Sequence, residues 1–470
     1  MSPAADQPKV WDLAEVGGGR AGVSAAMHAA QRGWSVVLLE QGSKLGGRAT
    51  SFEGPPGEAA VDNGQHLFLG AYTETLGLLG LLGTADAIRF EAPLSIPTLM
   101  ADGRTETLRA ARLPGPLGLG IGLLRYGPLR ARDKAALLWL GLRGAPRLLP
   151  ALLGFSTGAG QSVDRWLTAC GQTPALRDLL WDPMVLAALN AQPGEARLSE
   201  FLAVLGQGFM RGGRTGSLGR STLPLLGLVA PLQGWLAGRG GELRLGSQVT
   251  SLQAQEAGER GWLLGLPGQE PLEATRLVLA QPAALALGLL GPALGGRLGL
   301  AAEADRPRSA IVSVYTWSTV PLLPAPMQAF GPQGPGIQAR FHWGFSEPSK
   351  GGWRSCFVAS ASAGLAALDN PAVLAALAGF LAGRGRPHQW DLARVIREKA
   401  ATPVFQPGGP GRLRQRTRAQ GLALAGDWTE TGLPATIEGA VRSGRLAVQA
   451  LAAAPAPKQE LQVIYSPPPD

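Results

Sequence analysis

The chain has little of what builds disulfides, metal centres or membrane spans. Of its 470 residues only Cys170 and Cys356 are cysteines. They lie far apart and lack Cys-x-x-Cys spacing, which excludes a disulfide framework and a cysteine metal site and points to a reducing cytoplasm. Residues 1–10 carry no basic-then-apolar leader. No apolar run of spanning length is uninterrupted: the uncharged windows at 221–238 and 277–296 are broken by Pro and Gly and contain Gln, so no span is expected. There is no Lys/Arg block and no aromatic ladder. The net charge of +9 and pI near 10.1 rest on scattered arginines, so nucleic acid is not the expected partner, and an anionic membrane surface fits better. Charged residues make up 16% and hydrophobic ones 45%, the balance of a globular, apolar-leaning chain. Its length calls for two or three lobes.

What is present begins at residues 16–48. Gly17, Gly19 and Gly22 are spaced G-x-G-x-x-G. An apolar helical run follows, Gly33 ends it, and residues 35–39 (SVVLL) read as a strand stopping at Glu40. Strand, tight turn, helix and strand form a dinucleotide-binding unit. Gly17 permits the turn, Gly19 lets backbone approach a pyrophosphate, and Gly22 lets helix and strand pack closely. The helix N-terminus supplies free N–H groups and partial positive charge. Glu40 is placed to accept from both hydroxyls of an adenosine ribose and would repel a 2′-phosphate. Glu15 fits badly: a carboxylate in a buried strand needs a partner or stays protonated, unless the strand is shorter.

Two further stretches name the cofactor. Gly46, Gly47 and Arg48 follow the acidic strand end. Residues 422–449 give a strand into Gly426 and Asp427, a loop with Trp428, Thr429 and Pro434, and a helix opening near Glu438, Gly439 and Ala440. Small residues there, including Ser443 and Gly444, would let a flat ring or ribityl chain come close. The helix dipole would favour the flavin N1–C2=O edge, and Asp427 could accept from ribityl hydroxyls. Together these stretches resemble the two FAD motifs of the amine oxidase and carotenoid desaturase superfamily. The resemblance implies FAD, with Arg48 against the diphosphate and backbone near Val249 at the adenine. It also implies an α/β fold: a Rossmann-like FAD-binding lobe of the amine oxidase type with an α+β substrate lobe of antiparallel sheet under helical cover. The expected FAD lobe is discontinuous, 8–75, 220–290 and 415–453. The substrate lobe takes 76–219 and 291–414, and 454–470 is a flexible tail. Residues 76–215 read as mostly helical. Strands are expected at 310–315, 336–343 and 355–360, and a helix at 371–383.

Three stretches narrow the resemblance: residues 62–72 (DNGQHLFLGAY), the segment from Trp181, Asp182 and Pro183 to Asn190, and the GDWT run at 426–429. They are similar to the squalene-associated FAD-dependent desaturases, the hydroxysqualene dehydroxylases of hopanoid pathways. His342-Trp343 departs from an expected Gln-Trp pair. The resemblance implies a C30 allylic alcohol losing hydroxyl as reduced flavin delivers hydride, with an external electron donor and peripheral contact with the inner face of the cell membrane. Residues 108–155, dense in Leu and Arg, are the candidate docking surface; ordinary core helices with snorkelling Arg are the plain alternative. His66 is the candidate proton donor or orienting group, with Asp62 and Gln65 as alternates. His28 reads as a helix-surface residue and His388 as a loop residue. Tyr72, Trp181 and Trp343 are candidate aromatics for a developing cation, and each also suits a plain core. Three other readings stand: a carotenoid or phytoene-type desaturase or isomerase, a flavin amine oxidase, and a non-catalytic isoprenoid-lipid carrier with a vestigial flavin site.

Overall fold

The structure is a computed structural model. It describes residues 9–91, 93–113, 116–152, 157–209, 216–255, 261–332 and 341–453. The expected tail at 454–470 and most of the expected strand at 336–343 lie outside these residues.

A five-stranded parallel sheet carries the dinucleotide unit. Its spatial order is Glu242–Arg244, Val36–Leu39, Leu13–Val16, Leu277–Leu279 and Leu422–Leu424. Every residue of the Leu13–Val16 and Val36–Leu39 strands is buried. Parallel strands read as near-continuous apolar runs because both faces are covered. One face is covered by helix α1 (Arg20–Gln31) and the C-terminal helix Ile437–Ala452. The other packs on the helix Ala283–Arg297 and a small four-stranded sheet that includes Trp262–Gly265 and Leu272–Ala274. Helix α2 (Thr73–Leu81) shares the core of α1 through Leu78 and Leu79.

The crossing of α1 and the C-terminal helix corrects one expectation. A Cβ on Gly444 would lie 2.2 Å from the Ala21 carbonyl oxygen and 2.7 Å from the Ala25 nitrogen. Ser24 Oγ donates to the Val441 carbonyl at 2.6 Å, and Ser443 Oγ accepts from the Gly426 N–H at 2.8 Å. Gly444 is therefore small for the sake of a neighbouring helix, and Ser443 holds the loop beside it; neither opens the helix to a ligand.

The second lobe is built on a seven-stranded sheet. Its order is Leu392–Pro403, Arg308–Ser318, Gly352–Ala359, Trp343–Ser349, Met327–Phe330, Ser95–Leu99 and Thr105–Arg109. Two expectations change here. The sheet is mixed, because Met327–Phe330 pairs parallel with Ser95–Leu99. Residues 76–215 also contribute strands, including Ile88–Glu91. In Thr105–Arg109 (TETLR), Thr alternates with larger side chains, a strand pattern hidden by the surrounding Leu content. One sheet face packs on the helix Asn370–Ala382, within a residue of the expected position. The other face turns towards the Val61–Asp62 and Leu67–Leu69 strands. The Asp182–Leu189 helix does not begin at Trp181. It continues a helical run from Pro174 through a wide turn at Arg177–Trp181, which tolerates Pro183 lacking an N–H.

Helix α3 (Pro116–Arg125) and helix α4 (Ala131–Leu152) lie at the surface and leave large apolar side chains in solvent. Among the described residues no helix is long and apolar enough to cross a membrane, and no cluster of three or more His, Cys, Asp or Glu could hold a metal.

Candidate active site

The glycines of the first turn do what their spacing requires. Gly17 sits at φ +118°, and a Cβ there would lie 3.1 Å from the Ala280 backbone. A Cβ on Gly22 would lie 1.9 Å from the Gly17 carbonyl oxygen, so helix and turn could not close with any other residue. A Cβ on Gly19 would meet nothing within 4 Å. Gly19 is the N-cap of α1 and has no side chain to cap it. The helix start thus faces open space with N–H groups and dipole available for an anion. Gly46 and Gly47, at φ +108° and +57°, fold the next loop against this turn, with the Gly46 N–H donating to the Gly18 carbonyl at 2.9 Å. Glu40 accepts from the Gly18 N–H at 2.6 Å and the Gly42 N–H at 2.7 Å. The Glu40 carbonyl holds the Ser247 N–H at 2.8 Å, which brings the segment with buried Val249 alongside.

Arg48 and Asp427, expected as separate cofactor contacts, are joined to each other. Arg48 Nη2 lies 2.5 Å from Asp427 Oδ1, and Nη1 donates to the Ala401 carbonyl at 2.6 Å. The Asp427 carboxylate holds the Arg48 guanidinium above its ordinary pKa. Arg412 donates to the Asp427 carbonyl and pairs with Glu200 at 2.8 Å. Gly426 adopts φ +141°, and a Cβ there would strike the Trp428 ring. Gly439 has its N–H capped by Thr436 Oγ1 at 3.1 Å, and Ala440 follows, half-buried.

Several expected site residues are placed elsewhere. The Glu438 side chain is buried and caps α2: it accepts from the Glu74 N–H at 3.0 Å, the Thr75 N–H at 2.9 Å and Thr75 Oγ1 at 2.7 Å. A helix N-terminus is a good site for a carboxylate, and α2 takes this one. Tyr72 packs into the core shared by α1 and α2, edge-on to Phe68. Trp181 is buried in the helical cover with its Nε1–H on Gln172 Oε1 at 2.8 Å and Phe201 edge-on. Both are core, as the plainer reading had it. Trp343 alone of the three lies on the sheet face that turns towards the 61–69 strands.

The insert at 62–66 divides by role. Asn63 donates from Nδ2 to the Arg48 carbonyl, which orients its amide, and Oδ1 then accepts from His66 Nε2 at 3.2 Å. His66 is thereby tied to the loop that carries Arg48. Its pKa is lowered to about 4 by burial and then by the Arg20 charge, so the imidazole is neutral at pH 7. Nε2 carries the proton and Nδ1 is an acceptor. Of the two expected roles, proton donor or orienting group, a neutral imidazole fits the second. Asp62 instead joins two loops, since its Oδ1 accepts from Ser51 Oγ at 2.6 Å and the Leu225 N–H at 2.9 Å. Burial pushes its pKa up, and those two bonds pull it back. Gln65 lines a small cleft with Tyr315, Phe345 and Cys356. Sequence reasoning passed over Arg20. It is buried at the first turn of α1, donates to the Leu225 carbonyl at 2.6 Å, and is held down to about 10 by burial. A lone Arg inside a glycine turn followed by an apolar helix was the available signal. Glu15 lies within its strand, fully buried, with neither carboxylate oxygen hydrogen-bonded. Burial raises its pKa well above the usual range, so it is a neutral acid.

The Flavin containing amine oxidoreductase family matches residues 20–452. The chain belongs to this family. It is 29% identical over 462 residues to hydroxysqualene dehydroxylase of Rhodopseudomonas palustris, covering 93% of this chain and 98% of that one. It is 28% identical to the enzyme of the same name from Sinorhizobium fredii, over 92% and 96%. It is 24% identical to 15-cis-phytoene desaturase of Capsicum annuum, over 94% of this chain and 78% of that one. Among solved structures, cyclohexylamine oxidase from Brevibacterium oxydans superposes with a TM-score of 0.69 at 16% identity, covering 94% and 99% of the two chains. The fold is the amine oxidase fold, and the protein is an FAD-dependent oxidoreductase. The carrier alternative falls with that. The residues fit the cofactor: the open approach at Gly19, the uncapped start of α1 and the pinned Gly46–Gly47 loop form a cradle that added Cβ atoms would disturb.

Proposed function

We propose that this enzyme reductively removes the hydroxyl of an allylic C30 isoprenoid alcohol, hydroxysqualene, to give squalene. The observation that carries the reading is the tether from Arg48 through Asn63 to His66, which sets a hydroxyl-orienting group beside the cofactor loop. Likeness to the hydroxysqualene dehydroxylases along nearly their whole length supports it. Bound FAD, when reduced, supplies the hydride. The carbon gains that hydride, the C–O bond breaks, and the released hydroxide takes up the one proton that fully reduced FAD carries besides the hydride, so that water leaves and oxidised FAD remains. His66 Nδ1 can accept from the substrate hydroxyl and hold the C–O bond in line. As a neutral base it orients the leaving group and stores no proton. The test is anaerobic: photoreduced enzyme, stoichiometric hydroxysqualene, flavin reoxidation followed in the visible band and product identified by mass. Rapid reoxidation with squalene formed is expected. Desaturation of phytoene by oxidised enzyme, with hydroxysqualene untouched, would replace this reading with the phytoene desaturase one, which likeness to those enzymes favours.

The same reading calls for contact with a bilayer, since the substrate is insoluble in water. Leu117, Leu138, Trp139, Leu142 and Leu149 are 45–70% exposed on α3 and α4. Arg143 lies over the Trp139 ring at 4.9 Å. Residues 138, 142 and 149 recur along one side of α4. An apolar stripe with cations beside it suits the inner face of the cell membrane.

A further inference from the structure

The seven-stranded sheet presents one row of side chains in which polar hydrogens have nothing to bond. Ser313 pairs across the ladder with Val358, and Val358 with Trp343. All three side chains therefore stand on the same face, the one that turns towards the 61–69 strands. Ser313 is fully buried, and its Oγ has no hydrogen-bond partner. Trp343 Nε1 is buried and also unpartnered. A Cβ on Gly64 would lie 3.0 Å from Ser313 Oγ, so this row abuts the insert that carries His66. Val358 between them is apolar. Buried polar groups in folded proteins are nearly always paired, and two orphans in one row call for an explanation. A third orphan, Trp317 Nε1, lies further along the same face, beside Arg354.

We propose that Ser313 Oγ and Trp343 Nε1 receive the hydroxyl of the isoprenoid alcohol and make this site select an alcohol over the matching hydrocarbon. The inference rests on the dehydroxylase reading and names the groups that enforce it. The indole N–H donates to the substrate oxygen. With the substrate's one hydroxyl hydrogen on His66 Nδ1, the serine hydroxyl donates to the oxygen's second lone pair. Val358 and the face of the Trp343 ring bear on the chain beside the oxygen. A hydrocarbon would leave both protein groups unpaired in a dry site. That is the situation in which binding sites discriminate most strongly between a hydroxylated ligand and its analogue. Ser313 and Trp343 are specificity-determining residues in this scheme, and neither moves electrons.

The test measures binding to oxidised holoenzyme, in which no turnover occurs. Hydroxysqualene and squalene are titrated separately in detergent micelles, and binding is read from the perturbed flavin spectrum. The wild-type protein is expected to prefer the alcohol by about tenfold or more. Ser313→Ala removes only the hydroxyl, whereas Trp343→Phe removes the N–H together with one ring, so squalene affinity is the control for lost packing. Each should lower the preference severalfold, and the double variant should abolish it, by weakening alcohol binding while squalene affinity holds. FAD content of each variant reports folding, and a Trp343→His variant that recovers part of the preference would support a role for the N–H itself. If the wild type prefers the alcohol and both variants do as well, the Ser313–Trp343 assignment is wrong and the dehydroxylase reading stands. A wild type with no preference overturns both, and that outcome is visible before any variant is made.

Discussion

At the scale of single residues, two buried ionisable groups carry charge states that sequence position alone does not reveal. His66, held near pH 4 by burial and Arg20, is neutral when folded and basic when unfolded. Its folded-state pKa is lowered, so the unfolded chain binds more protons between about pH 6.5 and pH 4. Stability should therefore fall over that window by up to about 3 kcal/mol from this group. His66→Gln should flatten the acid limb of a urea-denaturation series. Turnover should show no His66 ionisation between pH 6 and 8; a bell centred there that vanishes in His66→Gln would contradict the assignment. Glu15 works in the other direction. Its pKa is raised, so stability should decline as pH rises above about 4.5, where the unfolded chain ionises and the folded one does not. Glu15→Leu removes an unpartnered buried acid and should stabilise by about 1–3 kcal/mol in chemical denaturation. The sequence showed Glu15 as an anomaly because its strand is apolar. It could not show that no partner reaches it, since partners come from elsewhere in the chain. Arg48 and Asp427 were each readable as cofactor-motif residues. Their ion pair, spanning 379 positions, was not.

At the scale of elements, α1 and the strands on either side of it were legible because glycine geometry and apolar patterning agree there. The C-terminal helix was legible in position and misread in purpose. Its small residues suit a flat ligand and a close helix crossing equally well in sequence, and Gly444 against the Ala21 carbonyl is the second of these. Glu438 was misread for a related reason: a carboxylate in a first helical turn fits its own helix dipole, but its oxygens cap α2. The strands at 88–109 were lost among Leu-rich neighbours because short, half-exposed strands carry weak periodicity. Gly444→Ala should force the two helices apart and cost about 1–3 kcal/mol or more. Helix α1 begins at the cofactor cradle, so FAD affinity should drop with stability, as a titration of apo-protein would read. A variant that keeps wild-type stability would mean the crossing relaxes freely.

At the scale of the whole molecule, the exposed stripe on α3 and α4 predicts sedimentation with anionic liposomes. Leu138→Glu combined with Leu142→Glu should release the protein at equal salt, and high salt should weaken binding of the wild type. Protein that stays in the supernatant at every ionic strength would remove the membrane from the proposal. Overall chain charge hinted at such a surface, but only the helix placement separates outward leucines from core ones.

The ion pair between Arg48 and Asp427 also bears on the order of events during synthesis. The ribosome delivers Arg48 early and Asp427 only after almost 380 further residues. The strand Leu422–Leu424 must then join a sheet whose other members were made long before. Until it does, Arg48 lacks its carboxylate partner, and the Leu277–Leu279 strand is an open edge that can pair with another chain. Stable cofactor retention is therefore expected only on a nearly complete chain, where FAD binding favours the state with the last strand and helix in place. Nascent chains stalled before residue 420 should hold no FAD, whereas chains released at 453 should load it at once and resist protease.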